Sequence, residues 1–258
     1  MTRESIAPPA RGWKTLTFAA LTTITVHAYG AVAYRCTITT TYPHSHVVAH
    51  VTADGAKQRV DFDNDAGDAI VADVLLSTDG GATYNGLNTR LKTWFGPNAA
   101  ANYRDHSFLS VDGGDGKSIV STFKPEGDES EAGYAVHKYA GHLSYQLGGM
   151  TTSFTLLVWT TDALPASAAL RIKSLSTGIR NVDAEWMPKV AAAKGFPMKM
   201  QMAITRHYEG GRPITNLINF DVDDVHSIES PSPATFEVPS TYVKQPPVIG
   251  APGTVKPF

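Results

Sequence analysis

The sequence predicts a mainly β protein: an antiparallel sheet curved into a half-open barrel, with one or two helices covering its concave face. Three observations carry this. Met198, Met200, Met202 and Ile204 alternate with Lys199, Gln201, Ala203 and Thr205, the period that sends successive side chains to opposite faces of a strand. Six strand-like runs fall between residues 34 and 95, separated by turns such as Asp54-Gly55 and Asp79-Gly80-Gly81, which is a meander and not a βαβ repeat. Helical periodicity is confined to residues 163–195.

The first segment, residues 1–33, has the layout of a secretory leader. Arg3, Arg11 and Lys14 precede a short apolar stretch containing Leu16, Phe18, Leu21, Ile24 and Val26, and Ala31-Val32-Ala33 supplies small residues at the spacing a signal peptidase needs. The apolar stretch, diluted by five threonines, is too short for a bilayer span, so the mature chain is expected to be periplasmic or extracellular, without a membrane span. Its removal takes away three basic residues and one acidic residue and moves the net charge from −2 to −4. That balance, with no basic patch, excludes a nucleic-acid partner. Cys36 is the single cysteine. It excludes an internal disulfide and a multi-cysteine zinc site, and it lacks the small residues before it that lipid attachment needs. It reads as a small buried filler.

Residues 34–242 form one β-rich domain and 243–258 a Pro-rich flexible tail. Strands are expected at 34–42, 46–52, 57–63, 70–78, 83–88 and 91–95. Residues 98–108 are compatible with a short helix, a strand is expected at 117–123, and 124–133 is expected to be polar, acidic and exposed. A long hairpin then runs through Gly148-Gly149, and its second arm is apolar on both faces: Phe154, Leu156 and Val158 on one, Leu157 and Trp159 on the other. Helices are expected at 166–175 and 182–194. In the second, Val182, Trp186 and Val190 share a face, Asp183 is the expected cap, Pro188 falls near the first turn, and Gly195 is the expected terminator. The Met strand follows, then a strand over 214–228.

Three stretches carry a family likeness: Arg59-Val60-Asp61 with Leu76-Ser77-Thr78-Asp79-Gly80-Gly81, then 194–200 with Lys194-Gly195-Phe196-Pro197 at its head, then 230–242 around Thr235-Phe236-Glu237-Val238-Pro239. In this order they resemble bacterial exported proteins of the domain-of-unknown-function family 4412 and, more distantly, LolA-like lipoprotein carriers. The likeness covers about residues 34–242; it departs in lacking a lipoprotein cysteine and in a longer loop at 96–116. It implies a half-open barrel plugged by helices, and it implies no catalytic residues.

Polar clusters offer little chemistry. Asp61, Asp63, Asp65 and Asp68 have an acidic spacing, but the positions an EF-hand gives to Gly and Glu hold Ala66 and Ala72. Asp221, Asp223 and Asp224 read as another solvated acidic turn. His44, His46 and His50 share a strand face, yet His46 and His50 are about 13 Å apart at strand rise, too far for one ion. The Met sulfurs can bind Cu(I), but Ile204 continues their stripe, and a core or cavity lining is the plainer reading. His207 and His226 can pair with Asp221 or Asp224, as surface ion pairs commonly do. No nucleophile elbow, zinc-protease motif, P-loop or dinucleotide fingerprint is present.

The expectation is therefore an exported, non-enzymatic protein without a cofactor, binding an apolar ligand such as a lipid or acyl chain. The residues expected to line the site are Phe154, Leu156, Val158, Trp186, Met198, Met200, Met202 and Ile204. The alternatives are a structural or protein-interaction module with a packed core, and an exported copper- or calcium-binding protein.

Overall fold

The structure is a computed structural model that describes residues 30–41, 44–63, 72–99, 114–170 and 175–245. It is mainly β: twelve strands form one open sheet that does not close into a barrel. They are β1 (Ala31–Thr41), β2 (His44–Asp54), β3 (Lys57–Phe62), β4 (Val74–Ser77), β5 (Thr83–Asn88), β6 (Thr93–Ala99), β7 (Lys117–Glu131), β8 (Tyr134–Leu147), β9 (Met150–Thr161), β10 (Phe196–Tyr208), β11 (Ile214–Ile228) and β12 (Val243–Lys244). One α-helix, α1 (Arg180–Val190), lies between β9 and β10 in sequence. The strand order is β12-β6-β5-β4-β3-β2-β1-β11-β10-β9-β8-β7. Two meanders are thus joined where β1 pairs with β11.

Every neighbouring pair is antiparallel except β12, which runs parallel to β6, so the sheet is mixed where the sequence predicted purely antiparallel pairing. β12 also uses the first two residues of the expected tail. Residues 246–258, Asp65 and Asp68 of the acidic turn, and most of the segment 98–108 read as compatible with a helix lie outside the described residues. Asn98 and Ala99, at the start of that helix, instead extend β6.

Alternation sets the main core. In β10, Phe196, Met198, Met200, Met202 and Ile204 are buried while the residues between them are not. Across the sheet Met202 pairs with Leu156 and Ile218, and Leu156 pairs with Gly141. Cys36 is fully buried in this core and unpaired; burial, then the Asp223 carboxylate, pushes its thiol up to about 12, so it is inert at neutral pH.

The helical region differs from expectation in four ways. Of the helix expected at 166–175, the described residues 166–170 form instead a 3₁₀ turn, Ala166–Ala168; the backbone groups around it bond to the sheet, as described below. Asp183 does not cap α1, because Ile179 occupies the N-cap. From the first turn its carboxylate accepts hydrogen bonds from the Thr177 and Gly178 amides at 2.7 and 3.1 Å and the Ser176 hydroxyl at 2.6 Å, holding the loop that leads in. Pro188 lies inside α1 near its C-terminal end, so the helix forgoes the amide bond that this position would make to the Ala184 carbonyl. Gly195 lies beyond the helix, where it begins the entry into β10 at φ +96°, and a Cβ there would stand 2.7 Å from the Thr161 carbonyl oxygen. Val182, Trp186 and Val190 are the buried face, as their spacing predicts.

The opposite face of the sheet carries a smaller core of Val74, Leu76 and Leu87 under Trp94, Val238 and Tyr242. The chain after β11 crosses here through a 3₁₀ turn, Pro233–Phe236. The Arg59 guanidinium donates to the Thr235 carbonyl at 3.4 Å, and the Lys244 ammonium stands 4.7 Å from the Trp94 ring centre.

At the far edge, β7 continues through the acidic segment, which is exposed as expected, with an irregularity between Pro125 and Gly127. Its exposed, charged residues and Pro125 discourage pairing with a further strand. The hairpin tip closes over Trp159, which is buried: its indole N–H donates to Glu129 at 2.7 Å, and the Lys138 and Lys199 ammonium groups stand 5.1 and 5.4 Å from its ring centre. Lys138 and Trp159 bonding to Glu129 lower that carboxyl's pKa. His137 bridges Asp128 at 2.7 Å and Asp162 at 3.4 Å, and bonding to Asp128, helped by Asp162, raises its pKa above 6.5. A raised folded-state pKa gives stability that is fully present below the unfolded value and fades as pH rises through the folded one. The unfolding midpoint of the wild type is therefore expected to fall, relative to His137→Gln, as pH is raised above about 6.5. Parallel profiles for the two proteins would show that the pair contributes nothing.

Candidate functional site

The eight residues expected to line a site do come together in one buried cluster. Phe154, Leu156 and Val158 project from β9, Met198, Met200, Met202 and Ile204 from β10, and Trp186 from α1. Trp186 is 1% exposed and Val158, the most accessible, 7%, so the group is a packed interior and anything entering must displace what covers it.

Two pieces of chain form that cover. The first is α1, which packs against β7 and β8. The Trp186 ring meets Phe123 edge-on at 6.2 Å between ring centres, and its indole N–H donates to the Leu175 carbonyl at 3.0 Å. Gly141 of β8 makes room for the indole: a Cβ there would lie 2.8 Å from Trp186 Cη2. The second piece is 164–170, which buries Leu164, Ala168 and Leu170.

This second piece is held by a polar network the sequence reading missed. Gln58, fully buried on β3, donates from Nε2 to the carbonyls of Ser167 and Ala169 at 2.9 and 3.1 Å. Its Oε1 accepts from the Tyr84 hydroxyl at 3.1 Å. The Tyr34 hydroxyl donates to the Ala168 carbonyl at 3.0 Å and accepts from the Leu170 amide at 2.9 Å. Burial raises the Tyr34 pKa well above its ordinary value, which keeps the hydroxyl protonated and able to do both. These bonds satisfy backbone groups of an irregular segment inside an apolar interior, where leaving them unpaired would be costly. They also explain why 166–170 is not an α-helix: the carbonyls of Ser167, Ala168 and Ala169 and the Leu170 amide are used by the sheet. The sequence does hold a signal for this site, since Gln58 shares strand parity with Val60 and Phe62 and so interrupts an inward-facing apolar stripe.

A separate open pocket of about 520 Å³ lies at the β8–β9 turn and the end of β10. Its lining includes Asp115, Lys117, Gln146, Met150, His207 and Glu209, and none of the eight predicted residues.

Several of the polar candidates are held in ion pairs. Asp61 receives the Arg59 guanidinium at 2.7 Å, His50 faces Asp63 at 3.2 Å, and Asp223 is paired with Arg35 at 2.7 Å; that bidentate bonding lowers the Asp223 pKa. His44, His46 and His50 are exposed on β2, and His226 lies 3.8 Å from Asp224 on the surface. Among the described residues no group of three or more His, Cys, Asp or Glu converges on a metal-sized space, and no helix is long and apolar enough to cross a membrane. Neither a protein-family model nor a curated protein matches this chain.

Proposed function

We propose that this is an exported, non-enzymatic protein that holds an apolar ligand, such as a lipid or acyl chain, against the inner face of its sheet. The ligand would take the place now filled by 164–170, beneath α1 and its Trp186. The single observation that carries this reading is the way the cover is attached. Gln58 and Tyr34 hold its backbone by a few hydrogen bonds, each worth about 1 kcal/mol net. The floor beneath is continuous apolar surface with three methionines, whose unbranched side chains adapt to chains of different shape. Retention would come from burial, at about 25 cal/mol per Å² of apolar area. The resemblance to exported carrier-like proteins supports the same reading.

Native mass spectrometry of protein taken from its exported fraction, with organic extraction of anything retained, tests it. A retained acyl species is the expected result, and Met200→Asp is expected to abolish retention; because it also sets a carboxylate into a buried position, its circular dichroism spectrum is recorded beside the wild type's. A clean apo mass, with no uptake of a fluorescent acyl-chain probe, would overturn the reading. That outcome would favour a structural or interaction module with a packed core, the reading that the near-complete burial of all eight residues supports.

A further inference from the structure

We infer that the leader is cut between Gly30 and Ala31, not after Ala33. The inference rests on the exported reading above and on the place of residues 31–33 in the sheet. Two bonds satisfy the requirement for small residues one and three positions before the cut: the one after Ala31-Val32-Ala33 and the one after Ala28-Tyr29-Gly30. The sequence alone does not rank them. The fold does, because the residues between the two bonds are structural.

Ala31 and Val32 are 0% and 1% exposed. β1 is an interior strand, flanked by β2 and β11. Val32 pairs with Ala53 on one side and Ser227 on the other, Ala33 with Thr52 and His226, and Ala31 with Ile228. A cut after Ala33 would remove all three, expose the ladder groups of both neighbours and take Val32 out of the core. It would also make Tyr34, whose hydroxyl anchors 164–170, the fraying first residue of the chain. A cut after Gly30, which is exposed, leaves β1 whole and begins the mature chain at its first residue.

Intact mass and N-terminal sequencing of the protein from the exported fraction decide between the bonds. A chain beginning at Ala31 is the expected result. A chain beginning at Tyr34 or Tyr29 overturns this inference while leaving export intact, whereas a chain that keeps Met1 overturns the export reading itself. A second measurement bears on the physical argument: chains expressed from Ala31 and from Tyr34 are compared by thermal unfolding. The shorter chain is expected to melt at least about 5 °C lower; equal midpoints would remove the structural reason for preferring the Gly30 bond.

Discussion

Trp186→Ala is expected to lower the free energy of unfolding by about 3–5 kcal/mol, the range for deleting a large aromatic from a packed interior. The indole is 1% exposed, stacks edge-on against Phe123 and gives its N–H to the Leu175 carbonyl. It is the largest side chain of α1 in the core, and the helix has no side-chain cap to hold it independently. Chemical denaturation with far-ultraviolet circular dichroism measures the loss. A companion variant locates the contact. Gly141→Ala drives a methyl into the space of Trp186 Cη2 and Phe123 Cδ2, both 2.8 Å from the new Cβ position, so it destabilises the wild type. In the Trp186→Ala background half of that clash is gone, and Gly141→Ala is expected to cost clearly less. Additive costs, or a Trp186→Ala loss below about 1 kcal/mol, would mean that the helix is not docked through this residue.

Gln58→Leu is the second large effect. The substitution keeps the volume roughly constant and removes every polar atom that Gln58 contributes. The carbonyls of Ser167 and Ala169 lose their donor and the Tyr84 hydroxyl loses its acceptor. Unpaired buried groups cost about 1–3 kcal/mol each, which water reaching them would reduce, so a net loss of about 2–4 kcal/mol is expected. Combined with Tyr34→Phe, which removes the other anchor of the same segment, the effect is expected to be less than additive, since a segment already released cannot be released again. Hydrogen exchange gives a local readout: the Ala168 and Leu170 amides, bonded to the Pro165 carbonyl and the Tyr34 hydroxyl, are expected to lose protection in Gln58→Leu while β10 amides keep theirs. If an apolar ligand displaces the cover, the same variant is expected to bind a fluorescent acyl-chain probe more tightly, because less has to be broken before the probe enters. Unchanged protection at 168–170 would show that Gln58 does not hold the segment.

Much of the inner face is legible along single strands. Strict alternation puts Met198, Met200, Met202 and Ile204 on one side, and the four-residue spacing of Val182, Trp186 and Val190 marks the buried side of α1; both follow from local backbone geometry. The departure from helix at 166–170 has a clear origin. Ala-rich sequence favours helix only where backbone groups have no better partner, and here Gln58 and Tyr34 supply partners from 109 to 136 positions away. The exposure of the acidic segment 124–131 is legible in its composition, whereas its place in β7 is not: an edge strand needs only one paired side and can carry charge on the other.

The sequence by itself determined the fold class, the inward parity of the strands and the eight residues that meet in the core, because each depends on a period of two or four read within one segment. Only the tertiary structure decided that β1 joins β11, that β12 returns parallel to β6, that Trp159 is closed over by a charged hairpin, and that a buried glutamine and tyrosine fasten the cover. Those outcomes depend on pairing between groups far apart in the chain. Such pairing is set by which buried donors and acceptors the whole fold can satisfy at once, a condition no local pattern encodes.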